Sequence, residues 1–337
     1  MYRLPLLLLC AGLLALSACQ PPAEPSVSDA APVVDVDGPL VIYSGRSQSL
    51  IEPIVERFTA DTGIEVQTRF GGTAEMAAAL AEEGAQSPAD LFWAQDAGGL
   101  GAVANLLAEL PDSLLAMVPE RYQSDDGKWL AVSGRARVLA YSPERTDTEN
   151  LPTSVLDLTD ARFEGRVGWA PTNGSFQSFV TAMRQTLGDD STRAWLDAMD
   201  DNGAVAYPRN SAIIEAIANG EVDYGLPNHY YLLRYQSEDP NYPVAQTNFA
   251  DGDVGNLVNI AGLGKLASSE RPNAAATFIA YLLSDEAQAF FAEGTKEYSV
   301  TGGGTPDAVL GAAPAIDLNA LADLEATLDL LRDAGLL

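Results

Sequence analysis

Leu40-Val-Ile-Tyr-Ser-Gly-Arg-Ser-Gln-Ser-Leu-Ile-Glu-Pro-Ile-Val-Glu-Arg-Phe-Thr59 decides the fold. Its first five residues form a short apolar strand, and Gly45-Arg46-Ser47 is a turn. Leu50, Ile51, Ile54, Val55 and Phe58 then recur at helical spacing. Residues 63–69 alternate and predict a second strand. Gly71-Gly72-Thr73 opens an alanine-rich helix over 74–83, and Asp90-Leu-Phe-Trp-Ala94 is a third strand with Gln95 and Asp96 at its end. Strand alternating with helix implies a parallel sheet, whose ligands bind beyond the carboxyl ends of the strands. Residues 44–47, 71–73 and 95–96 therefore face one edge.

Further along, Trp129-Leu-Ala-Val-Ser-Gly-Arg-Ala-Arg-Val-Leu-Ala-Tyr141 is a long extended run, able to cross into a second lobe. Arg135 and Arg137 alternate on it and share a face. Paired arginines there suit a bidentate anion, or a plain ion pair in an acidic protein. Residues 166–171 and 204–207 are strands. Thr172-Asn-Gly-Ser175 opens a helix over 176–187, and Arg209-Asn-Ser211 opens another over 212–218. A strand around 222–226 leads into Gly225-Leu-Pro-Asn-His-Tyr-Tyr-Leu-Leu-Arg234, with a helix from Asn228. Three strand-to-helix mouths thus arise at Asn173, Gly174 and Ser175, at Asn210, and at Asn228. Each offers backbone N–H groups and a small polar side chain, which together favour an anion. Gly255-Asn-Leu-Val-Asn-Ile-Ala-Gly262 is a second crossing run. Helices follow over 273–283, 286–292 and 320–334. The predicted fold is α/β: a two-lobed clam-shell with two crossing hinge strands, a ligand cleft between the lobes, and hinge closure over the ligand. The expected division is 39–133 plus 262–305 for the first lobe and 134–261 plus 306–337 for the second.

Tyr230 and Tyr231 fall in the first turn after Asn228. Two phenols at a helix mouth beside an anion site suit a hard, highly charged cation such as Fe(III). A free phenol ionises only near pH 10, so a bound cation is what would deprotonate it. The same dipeptide is also compatible with ordinary boundary packing.

Composition narrows the choice. The 337 residues carry a formal charge of −28, with 19 basic residues, of which only Lys128, Lys265 and Lys296 are lysines. Such a surface repels nucleic acid and anionic lipid. The hydrophobic share is 47%, enough for real cores. Both cysteines, Cys10 and Cys19, lie in the first 20 residues, which leaves the folded part without thiol chemistry. His229 is the single histidine, so His-rich metal sites are excluded and a Ser-His-Asp hydrolase is disfavoured. An enzyme would need a nucleophile with a base beside it, and none is evident.

Residues 1–18 have one basic residue, a short apolar run and a small-residue end, the pattern of an export signal. Losing them removes Arg3 and no acid, so the mature chain is near −29. Leu16-Ser-Ala-Cys19 resembles the lipobox of bacterial lipoproteins, which implies lipidation of Cys19. Residues 19–38 then read as a lipidated cysteine and a flexible Pro-, Ala- and Ser-rich tether. The expected location is extracytoplasmic, anchored to the membrane by lipid only.

Val41-Ile-Tyr-Ser-Gly-Arg46, Ser87-Pro-Ala-Asp-Leu-Phe92, Ser133-Gly-Arg-Ala-Arg-Val138, Ala170-Pro-Thr-Asn-Gly-Ser-Phe176, Asn219-Gly-Glu-Val-Asp223 and Asn228-His-Tyr-Tyr231 occur in that order. From Leu40 to the C-terminus the chain resembles the ferric-iron-binding proteins of bacterial iron ABC transporters, a branch of the type II periplasmic binding proteins. The resemblance implies Fe(III) bound by Tyr230 and Tyr231 as phenolates. It implies a synergistic phosphate or (bi)carbonate at Asn173, Gly174, Ser175, Asn210 and Asn228, with Arg135 and Arg137 as further anion candidates. It places Arg234 near the metal. Arg46 and His229 are candidate neighbours of the ligands, and His229 is open to being a ligand, a pH-sensitive neighbour or a satisfied helix-start residue. A monomeric binding protein serving an ABC permease, and no catalysis, follow from it. Departures fall on the first lobe. Ser47 stands where several members have a ligand histidine, Gln95 where they have a glutamate, and Phe176 where one branch has a further tyrosine. Asp96, Gln95, Tyr43, Ser47 or exogenous anion and water are the candidates to complete the sphere. The alternative is the same fold binding an oxyanion, a phosphonate or a small organic cation, with the tyrosines only stacking.

Overall fold

The strand-helix rhythm that opens at Leu40 becomes β1 (Leu40–Ser44), α1 (Gln48–Thr62), β2 (Val66–Phe70), α2 (Thr73–Glu83), β3 (Leu91–Ala94) and α3 (Ala97–Ala102). The computed structural model describes residues 1–2, 35–301 and 312–337. The export signal, Cys19 and most of the tether lie outside the described residues. Val34–Leu337 form one compact unit. α1 ends at Gly63, whose φ of 75° lets its N–H reach the Thr59 carbonyl at 2.9 Å. After α4 (Asp112–Leu115) come β4 (Trp129–Ala136) and β5 (Leu139–Tyr141). The second lobe continues with β6 (Val167–Trp169), α5 (Gly174–Leu187), α6 (Asp189–Asp201), β7 (Val205–Ala206), α7 (Asn210–Asn219), β8 (Tyr224–Gly225), α8 (His229–Glu238) and β9 (Ala245–Thr247). β10 (Val258–Lys265), α9 (Pro272–Leu282) and α10 (Asp285–Ala289) return to the first lobe, and α11 (Leu324–Asp333) ends the chain.

Two five-stranded sheets result, in the orders β2-β1-β3-β10-β4 and β7-β6-β8-β5-β9. β1 runs parallel to β2 and β3, and β6 parallel to β7 and β8. Each parallel trio feeds three helices, so the helix N-termini of a lobe gather at one edge. This matches the predicted α/β clam-shell.

The crossings are sharper than expected. The extended run at 129–141 splits into β4 in one sheet and β5 in the other, so the chain changes lobes at Arg137-Val138. The β4–β10 ladder is paired through Ala136 and Val258. Cuts after residue 133 and before 262 would sever it, so these two boundaries move outward along the strands. The tail also departs from its assignment to the second lobe alone. Asn319 exchanges bonds with Asp125 of the first lobe at 3.2 Å, and a Cβ on Gly101 of α3 would lie 2.2 Å from Ala322 Cβ. Beyond this turn, α11 packs on α5: Thr327 bonds Thr181 at 2.8 Å, and Asp323 pairs with Arg184 at 3.0 Å. The predicted helix at 320–334 is broken at Asp323, where a tight turn over Leu318–Ala322 gives way to α11.

The end of the tether is not loose. Asp35 accepts from the N–H groups of Asn273 and Ala274 at 2.9 and 2.8 Å, capping α9. α6 was not anticipated, although Thr192, Trp195, Leu196 and Met199, its buried residues, carry helical spacing.

Candidate functional site

α8 begins where predicted. Asn228 has extended backbone (φ −84°, ψ 150°), yet its side chain makes no capping bond. It is buried, with its Nδ2 unpaired among the described residues, and does not line the cleft wall. Tyr230 and Tyr231 follow. Mid-helix neighbours diverge by about 100°, but here the two rings stack, with centroids 4.3 Å apart and planes at 29°. Both border one cavity of about 410 Å³ between the lobes. Tyr230 is fully buried, and among the described residues its hydroxyl has no hydrogen-bond partner. Burial, reinforced by Tyr231, pushes its pKa well above the usual phenol value, against the pull of Arg135 and Arg46.

The first-lobe wall consists of Arg46, Ser47, Ser49, Leu50 and Gln95. The second-lobe wall adds Asn173, Arg209, Ser211, Arg234, Tyr235 and Glu238 to the tyrosines. Among the described residues, no group of three or more His, Cys, Asp or Glu side chains is placed to hold a metal ion.

Two of the three predicted mouths do converge, because β6 and β7 are parallel neighbours. Asn173 Oδ1 accepts from the Ser175 N–H at 3.0 Å, from the Ser175 hydroxyl at 2.7 Å and from Asn210 Nδ2 at 3.3 Å. Asn210 Nδ2 also reaches Ser175 Oγ at 3.2 Å. Asn173 faces the cavity; Ser175 and Asn210 stand buried behind it and fix its orientation. Gly174 heads α5 beside them.

A model of the bacterial extracellular solute-binding proteins matches residues 84–320. The chain belongs to that family. The Fe(3+)-binding periplasmic protein of Serratia marcescens is 32% identical over 317 residues, covering 91% of this chain and 93% of the relative. The major ferric iron-binding protein of Neisseria meningitidis serogroup B is 33% identical over 258 residues, 74% and 77% of the two chains. Iron-bound HitA from Pseudomonas aeruginosa superposes with a TM-score of 0.83 at 34% identity, over 88% of this chain and 99% of that one. Trichodesmium IdiA (FutA), in complex with iron and citrate, gives 0.75 at 28% identity, over 89% and 100%. These relatives are binding proteins of solute transport rather than enzymes, and the two-lobed architecture is theirs.

Several residues of this solute-binding protein stand elsewhere than its sequence suggests. Tyr43 is not at the cleft. Strand alternation turns it toward α2, where its hydroxyl donates to Glu83 at 3.0 Å and accepts from Arg69 at 3.1 Å. Asp96 caps α3, accepting from the Gly99 N–H at 2.9 Å, and is buried off the cavity wall. Burial raises its pKa while Arg135 opposes the shift. Arg137 presents no fork to the cleft. It donates to the carbonyls of Leu226 and, at 2.7 Å, of Ser175, and lies 4.9 Å from the Phe179 ring centroid. Burial and the neighbouring Arg135 lower its pKa to about 9. Arg135 donates to the Ile260 carbonyl at 3.0 Å and is likewise withdrawn from the wall. Both arginines are buried on the crossing strand: Arg137 is spent on two backbone carbonyls, whereas among the described residues Arg135 Nε and Nη1 have no hydrogen-bond partner.

His229 is a structural neighbour, as expected. Its Nδ1 accepts from the Ala136 N–H at 3.2 Å, and its ring stacks on Tyr298 at 4.1 Å. Burial takes its pKa down to about 4, so it is neutral at ordinary pH.

Glu297 was missed. It is buried, pairs with Arg46 at 2.6 Å and stands 4.0 Å from Arg135. Burial depresses the Arg46 pKa, but Glu297 and the two tyrosines outweigh it and leave a net rise. No local pattern marks Glu297; it reaches Arg46 because the 298 backbone pairs with Gly134 at the edge of β4. Tyr235 and Glu238 were also missed, although their spacing of four and seven residues from Tyr231 puts them on one helix face. Arg209 was passed over as a mere neighbour of Asn210.

Proposed function

We propose that this protein captures ferric iron outside the cytoplasm through the phenolates of Tyr230 and Tyr231 and passes it to an ABC permease, tethered by lipid at Cys19. The observation that carries the reading is the Tyr230 hydroxyl, buried without a partner at the cavity wall beside a second, stacked tyrosine. A hydroxyl in that position carries a desolvation cost that a bound cation would remove. Arg46 and Arg135 favour the ionised phenol, so they lower the proton's competition with the metal. The names of the relatives point the same way. A small anion such as (bi)carbonate or phosphate fits the Asn173 corner, where α5 and α7 begin. Closure about the crossings at Arg137-Val138 would bring Ser47 and Gln95 onto the loaded second lobe.

The test is a ferric titration followed by visible absorbance, with and without bicarbonate or phosphate. A phenolate-to-iron charge-transfer band should grow in, strengthened by the anion, and vanish in the Tyr230→Phe/Tyr231→Phe protein. A folded wild-type protein that gives no band in any of these conditions refutes the iron reading and returns the oxyanion and organic-cation ligands to the front.

A further inference from the structure

Asp96 belongs to the first lobe, yet it touches the second. It follows β3 and caps α3, where its Oδ1 accepts from the Gly99 N–H at 2.9 Å. Its other oxygen faces α5: a Cβ placed on Gly174 would lie 3.5 Å from Asp96 Oδ2, an ordinary van der Waals contact. Gly174 is the first residue of α5, and Ser178 stands one turn further along the same face. The Ser178 hydroxyl lies near enough to favour the ionised carboxylate, although among the described residues it completes no hydrogen bond in this geometry. Asp96 and Ser178 are both buried, so the contact is closed to water. Gln95, one residue earlier, lines the cavity instead, because successive residues of extended chain face opposite ways.

A buried carboxylate is costly unless charges and dipoles answer it. Within the first lobe, the Gly99 N–H holds Asp96 and Arg135 attracts it from β4. With Arg46 and Glu297, the buried group counts two cations and two anions, and is balanced. From the second lobe comes the first turn of α5, the positive end of that helix's dipole. The carboxylate is thus oriented by its own lobe before the other lobe arrives. Little further ordering is lost when the two meet, which is what preorganisation provides.

We propose that Asp96 is an interlobe latch: its carboxylate, fixed in the first lobe by the Gly99 N–H and Arg135, seats on the first turn of α5 and draws the lobes together independently of any cargo. The inference does not rest on which ligand the cleft takes. It gives the end of β3 two tasks, with Gln95 turned to the cavity and Asp96 turned to the opposite lobe.

Small-angle X-ray scattering of the metal-stripped protein, wild type against Asp96→Asn and Asp96→Ala, measures the separation of the lobes. Asp96→Asn removes the charge and keeps a side-chain oxygen able to cap α3, so it tests the latch with the helix intact. A charge seated at a helix N-terminus in a partly buried site supports a shift of about tenfold in the ratio of closed to open forms. Both variants should therefore expand, Asp96→Ala at least as far as Asp96→Asn, while Asp96→Asn unfolds thermally close to wild type. Folded variants whose scattering superposes on that of the wild type overturn the inference and leave Asp96 a cap of α3 alone. So does a variant more compact than wild type, which would mean that the desolvated carboxylate holds the lobes apart.

Discussion

Replacing Tyr230 by Phe should make the metal-free protein more stable and the iron-loaded protein less so. The substitution removes one oxygen and keeps the ring. The stack on Tyr231 at 4.3 Å and the edge contact with His229 at 5.8 Å depend on the ring alone. What disappears is a hydroxyl that is buried and unpartnered. Leaving such a group unsatisfied costs about 1–3 kcal/mol, so the metal-free variant should gain about 1–2 kcal/mol. For a chain of this length each kcal/mol moves the unfolding midpoint by about 1.5 °C, giving a rise of about 1.5–3 °C in chelator-treated samples. Iron reverses the order. A ligand at a thousand times its Kd stabilises the native state by about 4 kcal/mol, and the variant has lost one of the two phenolates that earn it. Thermal unfolding of both proteins, stripped and iron-loaded, measures the crossover. A stripped variant that is destabilised by more than about 1 kcal/mol would refute the reasoning, because the hydroxyl would then have a partner. A variant stabilised by iron as much as wild type would refute the ligand assignment.

Iron binding should follow pH steeply. Each phenolate formed releases a proton, so affinity should fall about tenfold per proton for each pH unit lowered, or about a hundredfold for two; competition titrations against a chelator between pH 6 and 8, in roughly unit steps, check this, and a flat profile excludes paired tyrosinates. In the metal-free protein the sign is opposite for stability: burial raises the Tyr230 pKa on folding, so this group leaves stability independent of pH below about pH 10, the unfolded value, and lowers it as pH rises above that. Glu297→Gln removes the ion-pair partner of Arg46, both side chains being at most 1% exposed, and leaves Asp96 as the remaining buried carboxylate beside Arg135; it should cost about 3–5 kcal/mol in urea denaturation, and a loss under about 1 kcal/mol would mean the pair is solvated. Tyr43→Phe should leave the ferric titration unchanged and lower stability by about 1 kcal/mol through its bonds to Glu83 and Arg69, whereas weaker iron binding would put Tyr43 back at the site.

Much of the second-lobe site was legible because it is local. Asn173, Asn210 and the tyrosines each sit at the start of a helix that follows a short strand, and turn chemistry of that kind is written within a few consecutive residues. The parallel order of β7, β6 and β8, implied by the same alternation, brought the mouths of α5 and α7 together as expected. Charged groups were not legible in the same way. Arg135 and Arg137 read as sharing one strand face, suited to an anion or to a surface ion pair, but whether a guanidinium on that face is buried, and whether it meets a ligand or a backbone carbonyl, depends on what packs against it. Asp96 shows the same limit: the sequence places it at the end of β3, and α3 claims its carboxylate as a cap.

By itself, the sequence determined the two α/β lobes, the two crossing runs and the pair of tyrosines at the mouth of α8, since period, turn residues and strand order are short-range properties of the chain. Only the tertiary structure decided the electrostatics of the cleft. Arg46 and Glu297 are 251 residues apart and meet at 2.6 Å. At such separations Coulomb energy follows distance and burial, which no local pattern encodes.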